Sequence, residues 1–125
     1  MGKKLGSILI IEDEVSLSKA LKDKLSKEGY TIHEALDGED GLTKAISIQP
    51  DLILLDIVMP KRDGMSLLQE LRKDKWGKDA RVIFLTNLTD PNKEEEAKKF
   101  GVENFLVKTN WSLEDLLKRI KTILK

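Results

Sequence analysis

The sequence predicts an α/β fold, one parallel sheet covered by helices on both faces. Five short apolar runs recur along the chain, at Ser7–Ile11, Thr31–Ala35, Leu52–Asp56, Arg81–Thr86 and Val102–Val107. Three of them contain unbroken apolar quartets, Ile8-Leu9-Ile10-Ile11, Leu52-Ile53-Leu54-Leu55 and Val82-Ile83-Phe84-Leu85. Continuous rather than alternating apolar residues mark strands buried on both sides, as in parallel sheets. The segments between the runs are charged and helix-prone, and strand–helix alternation with right-handed crossovers places helices on both faces.

Taken in order, the first strand is Ser7–Ile11, and Leu17, Leu21 and Leu25 define the inner stripe of the helix after it, which Gly29 ends. Thr31-Ile32-His33-Glu34-Ala35 mixes polar with apolar residues and reads as an edge strand, with His33 a surface residue. Asp37-Gly38 opens the second helix and Asp63-Gly64 precedes the third. Asp90-Pro91 supplies a cap and a first-turn proline for the fourth, which Gly101 terminates. Leu113, Leu116, Leu117, Ile120, Ile123 and Leu124 form one stripe in the last helix. Ser112 is its N-cap, with Asp115 three residues on in a variant of the capping box.

The 125 residues suit one domain, expected to span 1–125. Lys and Arg number 22, as do Asp and Glu. That balance argues against binding nucleic acid or anionic membrane through the whole surface. With no cysteine there are no disulfides or thiolate metal sites to help hold the fold. Lys3 and Lys4 precede only a short apolar stretch, too brief for a signal peptide. The longest near-apolar run, Leu52–Met59, is broken by Asp56 and falls far short of the ~20 residues of a membrane span. The expected location is the cytoplasm.

Ligand sites in open α/β sheets lie beyond the carboxyl ends of the strands. The first strand leads into Glu12-Asp13-Glu14, the third into Asp56, the fourth into Thr86-Asn87 and the fifth into Lys108. A carboxylate within the apolar stretch around Asp56 is unfavourable unless paired, protonated or metal-bound. Each residue alone also has an ordinary role: Asp56 as a loop cap, Glu12 and Asp13 as acids favoured at a helix start, Thr86 as a β-branched strand residue and Lys108 as a solvated lysine. Convergence on one rim gives them a common chemistry. Clustered carboxylates favour a divalent cation, and oxygen ligands without His or Cys suit Mg²⁺. An ammonium and a hydroxyl beside Mg²⁺ neutralise a transferring phosphoryl group. Asp56 would then be a nucleophile that forms an aspartyl phosphate.

At these residues the sequence resembles the receiver domain of bacterial two-component response regulators, over about residues 6 to 125. The resemblance rests on Ile10-Ile11-Glu12-Asp13-Glu14, and on Leu54-Leu55-Asp56-Ile57-Val58-Met59-Pro60-Lys61-Arg62-Asp63-Gly64, which matches the family's D-x-x-M-P-x-x-D-G pattern. Phe84-Leu85-Thr86 and Phe105-Leu106-Val107-Lys108 complete it. It implies a doubly wound, flavodoxin-like sheet in the order 2-1-3-4-5. Asp56 would accept the phosphoryl group from a histidine kinase or phosphotransfer protein. Asp13 would bind Mg²⁺, with Glu12 assisting and the Val58 carbonyl as a further ligand. Lys108 and Thr86 would contact phosphate oxygens, and Phe105 would be the aromatic switch residue. The readout would be the surface of helix 4, strand 5 and helix 5, presented to a downstream protein by a monomer or a phosphorylation-dependent dimer. Such a domain is a signalling module rather than an enzyme, though it assists its own phosphorylation and dephosphorylation.

The sequence departs from the family pattern at Thr109, where Pro usually follows the lysine, and at Asn87, where a small residue is common. Three other readings suit the residues less well. A dehalogenase-like phosphatase wants a second Asp at position 58, which is Val. A dinucleotide binder needs a Gly-x-Gly turn, and Ile11-Glu12-Asp13-Glu14 has none. A phosphate-independent pseudo-receiver has no need of the full set Glu12, Asp13, Asp56, Thr86 and Lys108.

The resemblance places Val58 and Leu88 beside the path of water to a phosphoaspartate, and neither can orient that water. The phosphoprotein is therefore expected to decay slowly. Val58→Asn or Leu88→Glu should accelerate the loss of label in a dephosphorylation time course, and unchanged decay in both would refute the assignment.

Overall fold

The structure, a computed structural model, describes residues 6–57, 63–86, 91–102, 104–107 and 112–124, the side chains of Thr86, Pro91 and Val107 excepted. Five strands, β1 (Ser7–Ile11), β2 (Thr31–Ala35), β3 (Leu52–Leu55), β4 (Val82–Thr86) and β5 (Asn104–Val107), alternate with five helices. These are α1 (Val15–Lys27), α2 (Gly38–Ile48), α3 (Gly64–Lys73), α4 (Pro91–Lys99) and α5 (Leu113–Ile123), and a 3₁₀ turn covers Gly77–Asp79. All strand pairs are parallel, in the order β2-β1-β3-β4-β5. The mixed second strand is indeed an edge.

The chain winds one way from β1 to β2 and the other way from β2 through β5. A constant crossover hand then puts α1 on the opposite face from α2, α3 and α4, and the core divides accordingly. Ile8, Ile10, Leu52, Leu54, Ile83 and Leu85 pack with Leu21 and Leu25 of α1 and with Leu116, Leu117 and Ile120 of α5. Leu9, Ile11, Ile53, Leu55 and Phe84 pack on the other side with Ala45, Leu67, Leu68, Leu71 and Ala97. Every residue of β3 is buried, so no strand face is left for water. Each such Leu or Ile contributes about 1.5–3 kcal/mol relative to exposure.

Continuous apolar strands carry little information about register, and polar pairs supply it at both ends of β1 and β3. At the amino end, Ser7 N–H donates to Asp51 Oδ2 at 2.8 Å, and Asp51 N–H donates to the Ser7 carbonyl at 2.9 Å. At the carboxyl end, Ile11 is opposite Leu55, which leaves Glu12 and Asp56 just outside the ladder.

Three strand limits differ from the sequence reading. β3 stops at Leu55, before Asp56. β4 starts at Val82 rather than Arg81. β5 starts at Asn104 rather than Val102, because Val102 belongs to the end of α4: its N–H donates to the Ala97 carbonyl at 3.0 Å, while Gly101 N–H donates to Lys98. This closure needs a left-handed residue, and Gly101 has φ +81°. Gly29 and Tyr30 close α1 in the same way, onto Ser26 and Leu25.

Side-chain caps open α2, α3 and α5, and of these the sequence predicts Ser112 alone as a cap. Asp37 accepts from Asp40 N–H and Asp63 from Ser66 N–H, both at 2.8 Å. Ser112 and Asp115 form a reciprocal capping box. Asp90 and Trp111 lie outside the described residues, whereas Trp76 is half-buried against the α3 side of the core. Ion pairs Lys24–Glu114 and Lys121–Glu28 join α1 to α5. The hydrogen bond to Lys24 lowers the Glu114 pKa, and the bond to Glu114 raises that of Lys24.

A smaller network ties α1 and α2 to the edge strand. Buried Ser18 donates Oγ–H to Glu34 Oε2 at 2.7 Å, and Lys22 pairs with Glu34 at 3.5 Å. Lys44 Nζ donates to the Glu34 carbonyl at 2.6 Å and pairs with Asp40 at 3.0 Å. Ser112→Ala should remove the capping box and cost about 1 kcal/mol in a denaturant titration. A loss below a few tenths would show that α5 is held by its apolar stripe alone.

Candidate functional site

The site forms where the strand order reverses, between β1 and β3, at the carboxyl rim. Ile11 opposite Leu55 makes Glu12 and Asp56 neighbours on adjacent central strands. Asp56 N–H donates to the Ile11 carbonyl and Glu12 N–H to the Ala35 carbonyl, each at 3.0 Å, so the ladder positions both backbones. Glu12 is 2% exposed and Asp56 6%, while Asp13 is open to solvent.

Glu12 and Asp13 do not serve as acids of the α1 first turn. That helix begins at Val15 with no acidic residue in its first turn, and Glu12 Oε2 instead accepts from Glu14 N–H at 3.1 Å. The amino end of α1 adds its positive field to this rim.

Oxygens from Glu12, Asp13 and Asp56 lie within 4.8 Å of one another. Among the described residues these form the one such group of acidic, His or Cys side chains close enough to share an ion. Opposite ligands on an octahedral ion with bonds of ~2.1 Å are about 4.2 Å apart, so small side-chain movements would close the set around Mg²⁺. Two of the three carboxylates are desolvated and like-charged at close range, and a divalent cation would offset both costs. The all-oxygen donor set fits a hard cation that keeps several waters.

Gly64 completes the local architecture. Its N–H donates to the Ile57 carbonyl at 2.6 Å, and a Cβ there would overlap the Asp56 carbonyl oxygen. The start of α3 is thus pressed against the strand end that carries Asp56. The sequence reading sets Asp63-Gly64 ahead of the third helix, whereas Gly64 is its first residue, and misses this contact. A glycine at the first helical position, where Gly has no helical advantage, is the signal that could have found it.

Phe105 lies opposite Phe84 across the β4–β5 ladder, with ring centroids 5.9 Å apart and planes at 59°. It is half-buried, while Phe84 is fully buried. Thr86 ends β4, paired with Val107. Lys108 and Val58 lie outside the described residues, as do Asn87, Leu88 and Thr109.

The chain matches the model of the response regulator receiver domain over residues 8–121. It belongs to that family, whose members are signalling domains of regulators rather than enzymes of the usual kind. It is 35% identical over 94% of its length to the DNA-binding dual master transcriptional regulator RpaA of Synechocystis sp., and 34% identical to the response regulator ArlR of Staphylococcus aureus. The match covers 48% of RpaA and 52% of ArlR, so the chain spans about half the length of these relatives. The chemotaxis protein CheY4 of Vibrio cholerae superposes with a TM-score of 0.86 at 30% identity, over 94% of this chain and 97% of that one. The response regulator TrrA of Thermotoga maritima, solved in complex with Mg²⁺-BeF, gives a TM-score of 0.82 at 33% identity, over 97% and 99%.

Mg²⁺ at a hundredfold excess over its Kd should stabilise the protein by about 2.7 kcal/mol, read as a rise in Tm. Asp13→Asn should abolish that rise while leaving the cation-free Tm unchanged or higher, because it removes one of three repelling charges. A wild-type Tm that does not respond to Mg²⁺ would refute the cation site.

Proposed function

We propose that this domain is a phosphorylation-controlled switch in which Asp56 accepts a phosphoryl group from a phosphohistidine. The observation that carries the reading is the buried Asp56 carboxylate at the end of β3, gathered with Glu12 and Asp13 at the rim where the strand order reverses. The Mg²⁺-BeF complex of TrrA supports it by similarity.

In this reading Glu12, Asp13, Asp56 and the Val58 carbonyl hold Mg²⁺. The ion supplies neutralisation of charge on the transferring group. An Asp56 carboxylate oxygen attacks phosphorus, the P–N bond to the donor imidazole breaks, and the imidazole takes up a proton from solvent. Burial strips water from the nucleophile, and the fixed β3 end orients it. Lys108 and the Thr86 hydroxyl contact phosphate oxygens. Movement of Thr86 makes room for Phe105 to turn inward beside Phe84, which alters the α4–β5–α5 surface. The same residues assist hydrolysis of the aspartyl phosphate.

The donor is a histidine kinase or phosphotransfer protein in the cytoplasm. The output partner is a protein that reads the α4–β5–α5 surface, on a monomer or a phosphorylation-dependent dimer. The receiver unit comprises residues 1–125 and makes no nucleic-acid or membrane contact itself. No described helix is long and apolar enough to cross a membrane.

Incubation with acetyl phosphate and Mg²⁺ should add one phosphoryl group, a gain of about 80 Da in intact mass from its composition. Asp56→Asn and chelation of Mg²⁺ should each abolish the gain. Folded wild-type protein that takes up no phosphoryl group would overturn the proposal.

A further inference from the structure

α3 connects the phosphoacceptor strand to the far end of α4. Its first residue, Gly64, is pressed against the Asp56 backbone and bonded to Ile57. Its last turn carries Arg72, which is half-buried and donates from Nε to the Phe100 carbonyl at 2.7 Å. Nη1 donates to the carbonyls of Gly77 at 2.8 Å and Ala80 at 2.7 Å. One guanidinium thus joins α3, the 3₁₀ turn and the residue that follows α4. Its planar fork of donors can serve several carbonyls at once, which an ammonium on a flexible stem does less well.

α4 itself has little apolar hold on the core. Among its described side chains Ala97 alone is buried, with Lys93 and Glu96 half-buried. The bonds from α3 gather at its C-terminal end: Gln69 Nε2 to Glu96 Oε2 at 3.4 Å, and Arg72 to Phe100 just beyond the helix. The Gly101–Val102 closure lies at the same end. The opposite end of α4 follows β4 and Thr86 at the carboxyl rim.

We propose that Arg72 is a positioning residue of the switch, latching the C-terminal end of α4 to the α3 frame so that the helix pivots about Phe100 when Asp56 is phosphorylated. The inference rests on the receiver reading above. For a nine-residue helix at ~1.5 Å rise per residue, a tilt of about 10° about that end moves the first turn by about 2 Å. The latch holds one end of α4 in a fixed relation to Asp56 and confines the movement to the other.

Residue-resolved amide exchange of the full chain, with and without Mg²⁺ and beryllofluoride, tests this. In the wild type, beryllofluoride should change exchange at Glu94 and Glu95 and leave Gly101 and Val102 unaltered. Arg72→Met should speed exchange at Gly101 and Val102 about tenfold or more, as expected for loss of a charge-assisted hydrogen bond, and should spread the beryllofluoride response to them. Arg72→Lys should fall between and carries the test if Arg72→Met does not fold. Lys44→Met, which removes a bond to the Glu34 carbonyl at the β2 edge, should alter neither. Equal wild-type responses at both ends of α4, or no effect of the Arg72 variants on Gly101 and Val102, would overturn the latch while leaving the phosphoacceptor reading intact. A wild type that responds nowhere and takes up no phosphoryl group would overturn both.

Discussion

Two like charges sit beside each other at the end of a sheet whose interior is wholly apolar, and the alignment of β1 with β3 brings them there. In strands made of uninterrupted Ile and Leu, a slip by one residue keeps apolar side chains on both faces, though it exchanges them between the two core layers, unlike a half-exposed strand where it would invert the pattern. Polar groups add to the resistance of packing. A slip would draw Glu12 or Asp56 into the ladder at one end and part Ser7 from Asp51 at the other. The acids that repel each other are therefore also the marks that define the register. Their remaining cost is desolvation, and the open side of Asp13 leaves room for a cation to meet it.

Much of this was legible in the residues. Ile8–Ile11, Leu52–Leu55 and Val82–Leu85 read as buried strands because nothing polar interrupts them, and Ser112 reads as a cap because it carries a short acceptor just before a helical stripe, whereas Asp37 and Asp63 mark only where helices begin. The strand order was not legible in the same way. Continuous apolar runs do not say which strand lies next to which, and only the family resemblance supplied 2-1-3-4-5. Val102 was assigned to a strand because it is apolar, whereas its N–H is used by the α4 terminus. Glu12 reads equally well as a helix acid, and the start of α1 at Val15 together with its burial beside Asp56 decides against that. Arg72 gave no signal, since an arginine near the end of an amphipathic helix normally faces water.

The two faces of the sheet are held by different means. On one, α1 and α5 present long apolar stripes and are joined at their margins by Lys24–Glu114 and Lys121–Glu28. On the other, α3 is densely packed through Met65, Leu67, Leu68 and Leu71, while α4 beside it contributes one buried alanine among its described side chains. Local stability follows buried apolar contact, so among the described residues the helix next to the end of β4 has the least hold on the core, and bonds from α3 reach its C-terminal end. A signalling fold gains from that division, because bonds of this kind exchange one state for another without disturbing the hydrophobic layers.

The network around Glu34 has a consequence for how the molecule meets copies of itself. β2 is an edge strand, and its Thr31 N–H and Ala35 carbonyl are turned inward to β1, which leaves the Glu34 carbonyl on the outer side. Lys44 bonds that carbonyl. A strand arriving from another molecule would meet an ammonium group where it needs a free acceptor, alongside the charged Glu34, Lys22 and Asp40. Lysines and charges at such margins oppose strand addition and the fibrils it can seed. The β2 flank of the sheet is thereby closed to extension.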